Sequence, residues 1–209
     1  MEKPFLIFDF DGTIGDTAEM ILGVVNRLAM EKGRPPLTDS EKNVFLSSGA
    51  KAFLKSQNIR FWELPGYLKK GRAYFAESAD KILLVSGIKE ILIRLHEEGF
   101  RMGIVTSNSE SVVRKLLSDS GIIFFDFIFS EKGLFGKDKV IKRAMKENGI
   151  GRENAIYIGD EIRDISAAER AEIKMIAVSW GMNGRGAFES RGIKNIADDP
   201  ESLLRIISS

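Results

Sequence analysis

The chain has 209 residues, enough for one large domain or for a core with an insertion. Hydrophobic residues make up 44% of it, and its formal net charge of +1 offers no electrostatic reason to bind nucleic acid or a membrane surface. The absence of cysteine excludes disulfides, thiolate catalysis and cysteine metal sites. The sequence shows neither a leader peptide nor an apolar run of membrane-spanning length. We therefore expect a cytoplasmic protein with no nucleic-acid or membrane partner.

The first predicted element is a strand over residues 5–8, a continuous apolar run of the kind found in buried strands. Predicted helices and apolar runs then alternate: helix 88–98, strand 101–106, helix 111–118, strand 124–130, helix 139–148, strand 155–159, helix 165–171 and strand 174–179. This alternation is typical of a parallel sheet with helices on both faces. We therefore predict an α/β fold.

Residues 16–83 break this rhythm and are predicted to be mostly helical, with helices over 18–32, 40–47, 50–57 and 66–79 and no strand. The simplest interpretation is a helical insertion placed directly after the first strand. We predict a core domain of residues 1–14 and 84–209 and an inserted domain of residues 15–83, called the cap segment below. The string SSGAK at residues 47–51 is typical either of a loop that faces a phosphate-bearing substrate or of a helix start with a solvated lysine.

Polar residues follow the ends of the predicted strands. Because side chains alternate faces along a strand, Asp9 and Asp11 can lie near one another where the first strand ends. Two like charges at the mouth of a core repel and are costly to bury, so a cation or a shared proton should offset them. Later strand ends and one loop contribute further polar groups: Thr106, Ser107, Asn108, Lys137, Asp160 and Asp164.

These residue types point to phosphoryl chemistry. Oxygen ligands without histidine or cysteine suit Mg²⁺, which often binds one or two carboxylates together with a substrate phosphate. Hydroxyl, amide and lysine donors suit the oxygens of a phosphate. A carboxylate beside Mg²⁺ can attack phosphorus, and a second carboxylate can act as the acid or base. The pattern predicts that the aspartates share a metal ion and a phosphoryl group.

Four motifs in this order carry a resemblance to a known family: DFDGT followed by DT, then VTSN, a lysine, and GDEIRD. Together they resemble the haloacid dehalogenase superfamily of phosphatases, with the closest likeness to its phosphoglycolate phosphatase-like branch. The segment LLVSGIKEILIRLHEEGFRMGIVTSN is similar to that branch as well, and the resemblance covers nearly the whole chain. It implies a Rossmann-like core and a helical cap that closes over the site and selects the substrate.

The resemblance implies the following catalytic and metal roles. Asp9 is the nucleophile and forms an aspartyl phosphate. Asp11 protonates the leaving oxygen and then takes a proton from the attacking water. Mg²⁺ is held by Asp9, by the main-chain carbonyl of Asp11 and by Asp160, with Asp164 nearby, directly or through water.

The resemblance also implies the phosphate-binding residues. Thr106 holds a phosphoryl oxygen, with Ser107 or Asn108 assisting. From the residues alone, the Thr106 hydroxyl could instead cap the helix that follows it, and both roles are compatible. Lys137 pairs with the nucleophile and the phosphate.

The lysine assignment depends on where the next helix begins, because the third motif lacks the Lys-Pro-x-Pro-Asp string of many relatives. Asp138 is a reasonable N-cap for the helix that carries the apolar stripe from Val140 to Met145. That choice places Lys137 in the preceding loop and Lys139 in the first helical turn, where a cation is disfavoured by the helix dipole. We therefore predict that Lys137 is the phosphate-binding lysine.

The function that follows is Mg²⁺-dependent hydrolysis of a small phosphorylated metabolite, either phosphoglycolate-like or a sugar phosphate, through an aspartyl-phosphate intermediate. The alternatives are a sugar phosphomutase of the same superfamily and a non-enzymatic phosphoacceptor. Dehalogenases of this type lack the second motif-one aspartate, which is present here as Asp11. The predicted partner is a small-molecule substrate, and the predicted assembly is a monomer or a homodimer.

Overall fold

A computed structural model of the chain describes residues 3–42, 44–45, 63–130 and 136–209. Within them the strands, in chain order, are β1 Phe5–Phe8, β2 Gly15–Asp16, β3 Leu83–Leu84, β4 Met102–Thr106, β5 Phe127–Ser130, β6 Ala155–Gly159, β7 Lys174–Val178 and β8 Ile196–Ala197. All except β2 and β3 form a six-stranded sheet in the order β5-β4-β1-β6-β7-β8. Every neighbouring pair in that sheet is parallel, which confirms the predicted α/β fold.

The helices, in chain order, are α1 Ala18–Glu31, α2 Leu64–Ala76, α3 Ile88–Glu97, α4 Glu110–Asp119, α5 Lys137–Glu147, α6 Ile162–Ala171, α7 Arg185–Glu189 and α8 Pro200–Ile207. Residues 39–42 and 44–45 are also helical. Across the part of the chain that is described, no helix combines the length and the apolar character needed to cross a membrane.

The core lies on both faces of the sheet, as the alternation of side chains along β1 requires. Leu6 and Phe8 pack in one apolar cluster with α3, α4 and α8. Phe5 and Ile7 pack in a second cluster, on the opposite face, with α5 and α6. The central strand is therefore buried from both sides, which explains why its sequence is continuously apolar rather than alternating.

The cap segment differs from its prediction at both ends. The expectation that it holds no strand is wrong, because β2 and β3 pair antiparallel where the chain leaves the core and returns to it. Between them α1 packs against α2. Leu22, Leu37 and Phe45 of the cap segment form an apolar cluster with Met182 of the core. The predicted helix 50–57 and the SSGAK string lie outside the described residues, and the domain division itself remains a prediction.

Several other boundaries differ from the predictions. The strand expected over 124–130 begins only at Phe127, because Phe124 stacks on His96 and Phe125 packs edge-on against Phe8 before the strand starts. The sequence patterns do not predict the short strand β8 or the helices α7 and α8. Two-residue strands such as β8 are too short to produce a periodic signal.

Candidate active site

Three buried carboxylates converge where two neighbouring strands end. Asp9 follows β1, Asp160 follows β6 and Asp164 lies in the first turn of α6. Because β1 and β6 are adjacent and parallel, their carboxyl ends meet at one edge of the sheet. One oxygen from each of the three residues lies within 4.8 Å of the others. This group, called the carboxylate cluster below, offers the oxygen ligands that suit a divalent metal ion.

Lys137 binds two members of the carboxylate cluster at once. Its Nζ lies 2.5 Å from Asp9 Oδ2 and 2.5 Å from Asp164 Oδ1, and the lysine is buried. Burial opposes the charge of the amine, but the carboxylates of Asp164 and Asp9 outweigh that effect and raise the pKa of Lys137 well above its usual value. The amine is therefore a permanent cation beside the predicted nucleophile.

The predicted start of α5 is wrong. Asp138 is not the N-cap of α5: the helix begins at Lys137 itself, and Gly136 is its N-cap with φ +114°. A lysine in the first helical position faces the positive end of the helix dipole, but its two carboxylate partners compensate for that. Lys139 lies one position beyond Asp138 and is exposed.

Asp11 lies beside the carboxylate cluster and is buried. Its Oδ1 accepts a hydrogen bond of 3.0 Å from Nδ2 of Asn108. Burial raises the pKa of Asp11 to about 6, and the Asn108 hydrogen bond opposes that rise. Burial likewise raises the pKa of Asp9 to about 7, against the lowering effect of Lys137. Both carboxyl groups are thus easier to protonate than ordinary aspartates in the absence of a cation.

Asp160 is held on both of its carboxylate oxygens. Oδ1 accepts a hydrogen bond of 3.1 Å from the Thr13 hydroxyl, and Oδ2 accepts one of 2.7 Å from the main-chain N–H of Met182. Burial and the nearby charges of Glu161 and Asp9 raise the pKa of Asp160 well above its usual value. The carboxylate is therefore oriented before any ligand binds, and its charge calls for a cation.

Asp164 is already engaged through both oxygens. Besides the Lys137 contact at Oδ1, its Oδ2 accepts a hydrogen bond of 3.0 Å from the main-chain N–H of Glu161, in a capping box that begins α6. Asp164 is thus an acidic residue that helps to cap the first turn of α6, and it also belongs to the carboxylate cluster. Its carboxylate is therefore held in a fixed orientation within the carboxylate cluster.

The second motif lies at the end of β4. Thr106 is buried, and its hydroxyl oxygen accepts a hydrogen bond of 2.9 Å from the main-chain N–H of Asn108. It does not cap α4, whose N-cap is Ser109. Ser107 is partly buried in the same turn. The structure thus brings all of the predicted site residues to one edge of the sheet, while their roles remain predictions.

Two glycines of the site were not singled out from the sequence. A Cβ on Gly12 would lie 2.1 Å from Asp160 Oδ2, and Gly12 has φ +72°. A Cβ on Gly181 would lie 2.3 Å from the carbonyl oxygen of Gly12. Both positions therefore need glycine for lack of space. In the sequence, Gly12 is marked as a site residue by its place in the DFDGT motif, whereas no local motif distinguishes Gly181 from the other glycines of its loop.

A charged pair beside the site was also missed. Nη2 of Arg163 lies 2.7 Å from Oε1 of Glu161. Its Nε is buried without a hydrogen-bond partner among the residues that the structure describes. Although burial opposes its charge, Glu161 and the nearby Asp164 and Asp9 raise the pKa of Arg163 above its already high value. The sequence signal was an arginine inside GDEIRD, between two acidic site residues.

Comparison with known proteins agrees with this geometry. The family model described as haloacid dehalogenase-like hydrolase matches residues 6–178. The chain belongs to the haloacid dehalogenase-like hydrolases. The resemblance stated from the motifs is thereby confirmed, and the match spans the ends of β1, β4 and β6 and the start of α5.

Individual relatives of this haloacid dehalogenase-like hydrolase cover most of its length. It is 22% identical over 204 residues to a phosphoglycolate phosphatase of Synechococcus elongatus, covering 97% of this chain and 96% of that protein. It is 28% identical over 193 residues to a phosphoglycolate phosphatase of Xanthomonas campestris, covering 84% and 83%. A predicted phosphatase from Clostridium acetobutylicum has the same fold, with a TM-score of 0.83, 24% identity and coverage of 100% and 99%.

Proposed function

We propose that this hydrolase is a Mg²⁺-dependent phosphatase that acts on a small phosphorylated metabolite through an aspartyl-phosphate intermediate. The observation that carries the proposal is the position of Asp9, which touches Lys137 and belongs to the buried carboxylate cluster. A carboxylate in this setting can attack phosphorus while its surroundings hold the charge of the phosphate. The phosphoglycolate phosphatase relatives support a short anionic phosphate ester as the substrate, with a sugar phosphate as the other choice.

The residues present fit a magnesium ion by the chemistry of their donors. The cluster supplies carboxylate oxygens within 4.8 Å of one another, with neither histidine nor cysteine among them. Asp9, Asp160 and the main-chain carbonyl of Asp11 would hold the ion, with Asp164 contributing directly or through water. When bound, the ion would neutralise the carboxylates and polarise the phosphoryl group.

In the first half-reaction an oxygen of Asp9 attacks phosphorus and the bond from phosphorus to the leaving oxygen breaks. Asp11 donates its proton to that oxygen, so the product leaves as an alcohol. Lys137 and the Thr106 hydroxyl bind phosphoryl oxygens and hold the group in line with Asp9. Burial raises the pKa of Asp11, which favours the protonated form that the first half-reaction needs.

In the second half-reaction Asp11 acts as a base. It takes a proton from a water molecule whose oxygen attacks phosphorus. The bond from Asp9 to phosphorus breaks, which releases inorganic phosphate and restores the Asp9 carboxylate. A phosphomutase would instead return the phosphoryl group to a second hydroxyl of a sugar.

The test is a panel of phosphorylated metabolites assayed with the purified protein and Mg²⁺, with inorganic phosphate as the readout. We expect phosphate release that EDTA abolishes and Mg²⁺ restores. Asp9→Asn should lose activity by several orders of magnitude, because a carboxamide cannot form the acyl phosphate. Activity that persists in EDTA, or in Asp9→Asn, would contradict the proposal. Conversion of a sugar phosphate to its isomer without phosphate release would identify a mutase.

A further inference from the structure

Asn108 makes a contact that the motif resemblance does not assign. It lies in the turn after β4, and its side-chain Nδ2 donates a hydrogen bond of 3.0 Å to Oδ1 of Asp11. The resemblance implies instead that Asn108 or its neighbour assists in binding the phosphate. Because the amide donor of Asn108 faces the carboxyl group of Asp11, we consider a role for Asn108 that acts on Asp11 instead of on the phosphate.

The orientation of the Asn108 amide is determined by its surroundings. Its Oδ1 accepts a hydrogen bond of 2.7 Å from the main-chain N–H of Ser109, so the NH₂ group must face Asp11. Its main-chain N–H donates to the Thr106 hydroxyl at 2.9 Å, and its carbonyl accepts from the Ser130 hydroxyl at 2.6 Å. Both main-chain groups and both ends of the amide are therefore engaged, and the residue has little freedom to turn elsewhere.

We propose that Asn108 is a positioning residue whose amide holds the carboxyl group of Asp11 in the orientation from which it exchanges protons with the leaving oxygen and with water. This inference rests on the proposed function, because it gives Asn108 a role only if Asp11 is the acid. A carboxylic acid accepts hydrogen bonds best at its unprotonated oxygen. Donation from Asn108 to Oδ1 therefore places the mobile proton on Oδ2.

The two possible tasks of Asn108 have different kinetic consequences. A phosphate ligand contributes to every phosphate ester alike and also to the binding of inorganic phosphate. A residue that acts through the acid role of Asp11 contributes to kcat/KM, which covers the steps up to departure of the leaving group, only where the leaving oxygen needs a proton. Its contribution to the later base role of Asp11 enters kcat for every substrate. Alkyl phosphates have such leaving groups, whereas p-nitrophenolate departs without protonation. The difference between these two substrate types therefore separates the roles.

The experiment measures kcat and KM of Asn108→Ala on an alkyl phosphate and on p-nitrophenyl phosphate, with inhibition by inorganic phosphate. We expect kcat/KM on the alkyl phosphate to fall roughly 10- to 100-fold, part of the contribution of a general acid. On p-nitrophenyl phosphate kcat/KM should change less than about threefold, and inhibition by phosphate should stay the same. Asn108→Leu, similar in shape and neutral but without the donor, should show the same selective loss.

The control variant is Ser111→Ala, an exposed position in the first turn of α4, which should leave both activities unchanged. A double-variant cycle completes the test. If Asn108 acts only through Asp11, adding Asn108→Ala to Asp11→Asn should cost nothing further on the alkyl phosphate. Thermal unfolding of each variant checks that it is folded, and Asn108→Leu replaces Asn108→Ala if the alanine variant does not fold.

Equal losses of kcat/KM on both substrates, weaker inhibition by phosphate, or additive losses of kcat/KM in the double variant would overturn the inference and make Asn108 a phosphate ligand. The Asp11→Asn single variant separates this failure from failure of the proposed function. If that variant loses kcat/KM equally on both substrates, the acid role of Asp11 fails. If Asp11→Asn behaves as expected and Asn108→Ala does not, only the role of Asn108 fails.

Discussion

At the scale of single residues, the close approach of two loops at Asp160 depends on glycine. Replacing Gly181 with alanine would place its Cβ 2.3 Å from the carbonyl oxygen of Gly12 and 2.4 Å from Asp160 Oδ2. The backbone would have to move, at a cost of about 1–3 kcal/mol in the free energy of unfolding, as for other overpacked sites. We also expect Gly181→Ala to weaken divalent-metal binding and to lower kcat.

The matched control is Gly184→Ala in the same loop, where an added Cβ meets nothing within 4 Å. Chemical denaturation, metal titration and phosphate release measured on both variants test the prediction. Equal effects of the two substitutions would mean that the contact with Gly12 has no consequence for the site.

The raised pKa values of two buried aspartates predict how stability depends on pH. Asp11 and Asp9 titrate at about 6 and about 7 in the fold, compared with 3.8 in an unfolded chain. Between these values the folded chain binds more protons than the unfolded chain, so stability falls as pH rises. We expect the metal-free protein to be most stable near pH 4 with respect to these groups, and to lose that contribution progressively up to about pH 7.

Thermal unfolding in EDTA across this range measures the effect, and Asp11→Asn should flatten the part between pH 4 and about 6. Added Mg²⁺ should reduce the loss, because a bound cation favours the ionised carboxylates. A metal-free protein that gains stability from pH 4 to pH 7, with no change of slope in Asp11→Asn, would contradict the assigned pKa shifts.

At the scale of elements, the first turn of α5 places the amine of Lys137 beside Asp9 at the end of β1. Lys137 is paired with Asp9 and Asp164, which are all but inaccessible to solvent. Lys137→Ala leaves both carboxylates without their partner, so we expect a loss of about 3–5 kcal/mol in the free energy of unfolding without metal. Catalytic efficiency should fall roughly 10- to 100-fold, from the loss of a charge-assisted contact.

Lys139→Ala, in the same turn but exposed, should stay within a few-fold of the parent in activity. Denaturant titration measures the free energy of unfolding of the two variants, and steady-state kinetics measure their catalytic efficiency. The reverse order of their losses would refute the assignment of Lys137.

At the scale of the whole molecule, Met182 joins the cap segment to the site. Its side chain is buried with Leu22, Leu37 and Phe45, while its main-chain N–H binds Asp160. Met182→Ala should lower the free energy of unfolding by about 2–5 kcal/mol, as for other buried methionines, and should speed hydrogen exchange in α1. Met30→Ala, an exposed position on the same helix, is the control and should do neither.

The cap segment is connected to the core through β2 and β3, and such short connections can act as hinges. If the segment closes over the site during turnover, hydrogen exchange in these two strands and in α1 should slow when vanadate is added as a phosphate analogue. Unchanged exchange throughout the described part of the cap segment would indicate a rigid lid.

The site illustrates what can be predicted from sequence patterns. Asp9, Thr106 and Asp160 each follow an apolar run, and parallel strands bring their carboxyl ends to one edge, so the meeting of these residues could be anticipated. The position at which α5 begins could not be predicted from the sequence, because an aspartate is a common N-cap and nothing local favours Gly136 over Asp138. The hydrogen bond from Asn108 to Asp11 could not be predicted from the sequence either.

The sequence by itself determined the elements whose signal is local: the apolar strands, the helices with apolar stripes and the polar residues at strand ends. Those signals arise from side-chain periods of two and of about 3.6, which involve only neighbouring residues. Only the tertiary structure decided which distant groups touch, such as Gly181 with Gly12 and Met182 with Asp160. These contacts depend on the order of strands and the paths of loops, since the bonded residues lie far apart in the chain and share no periodicity.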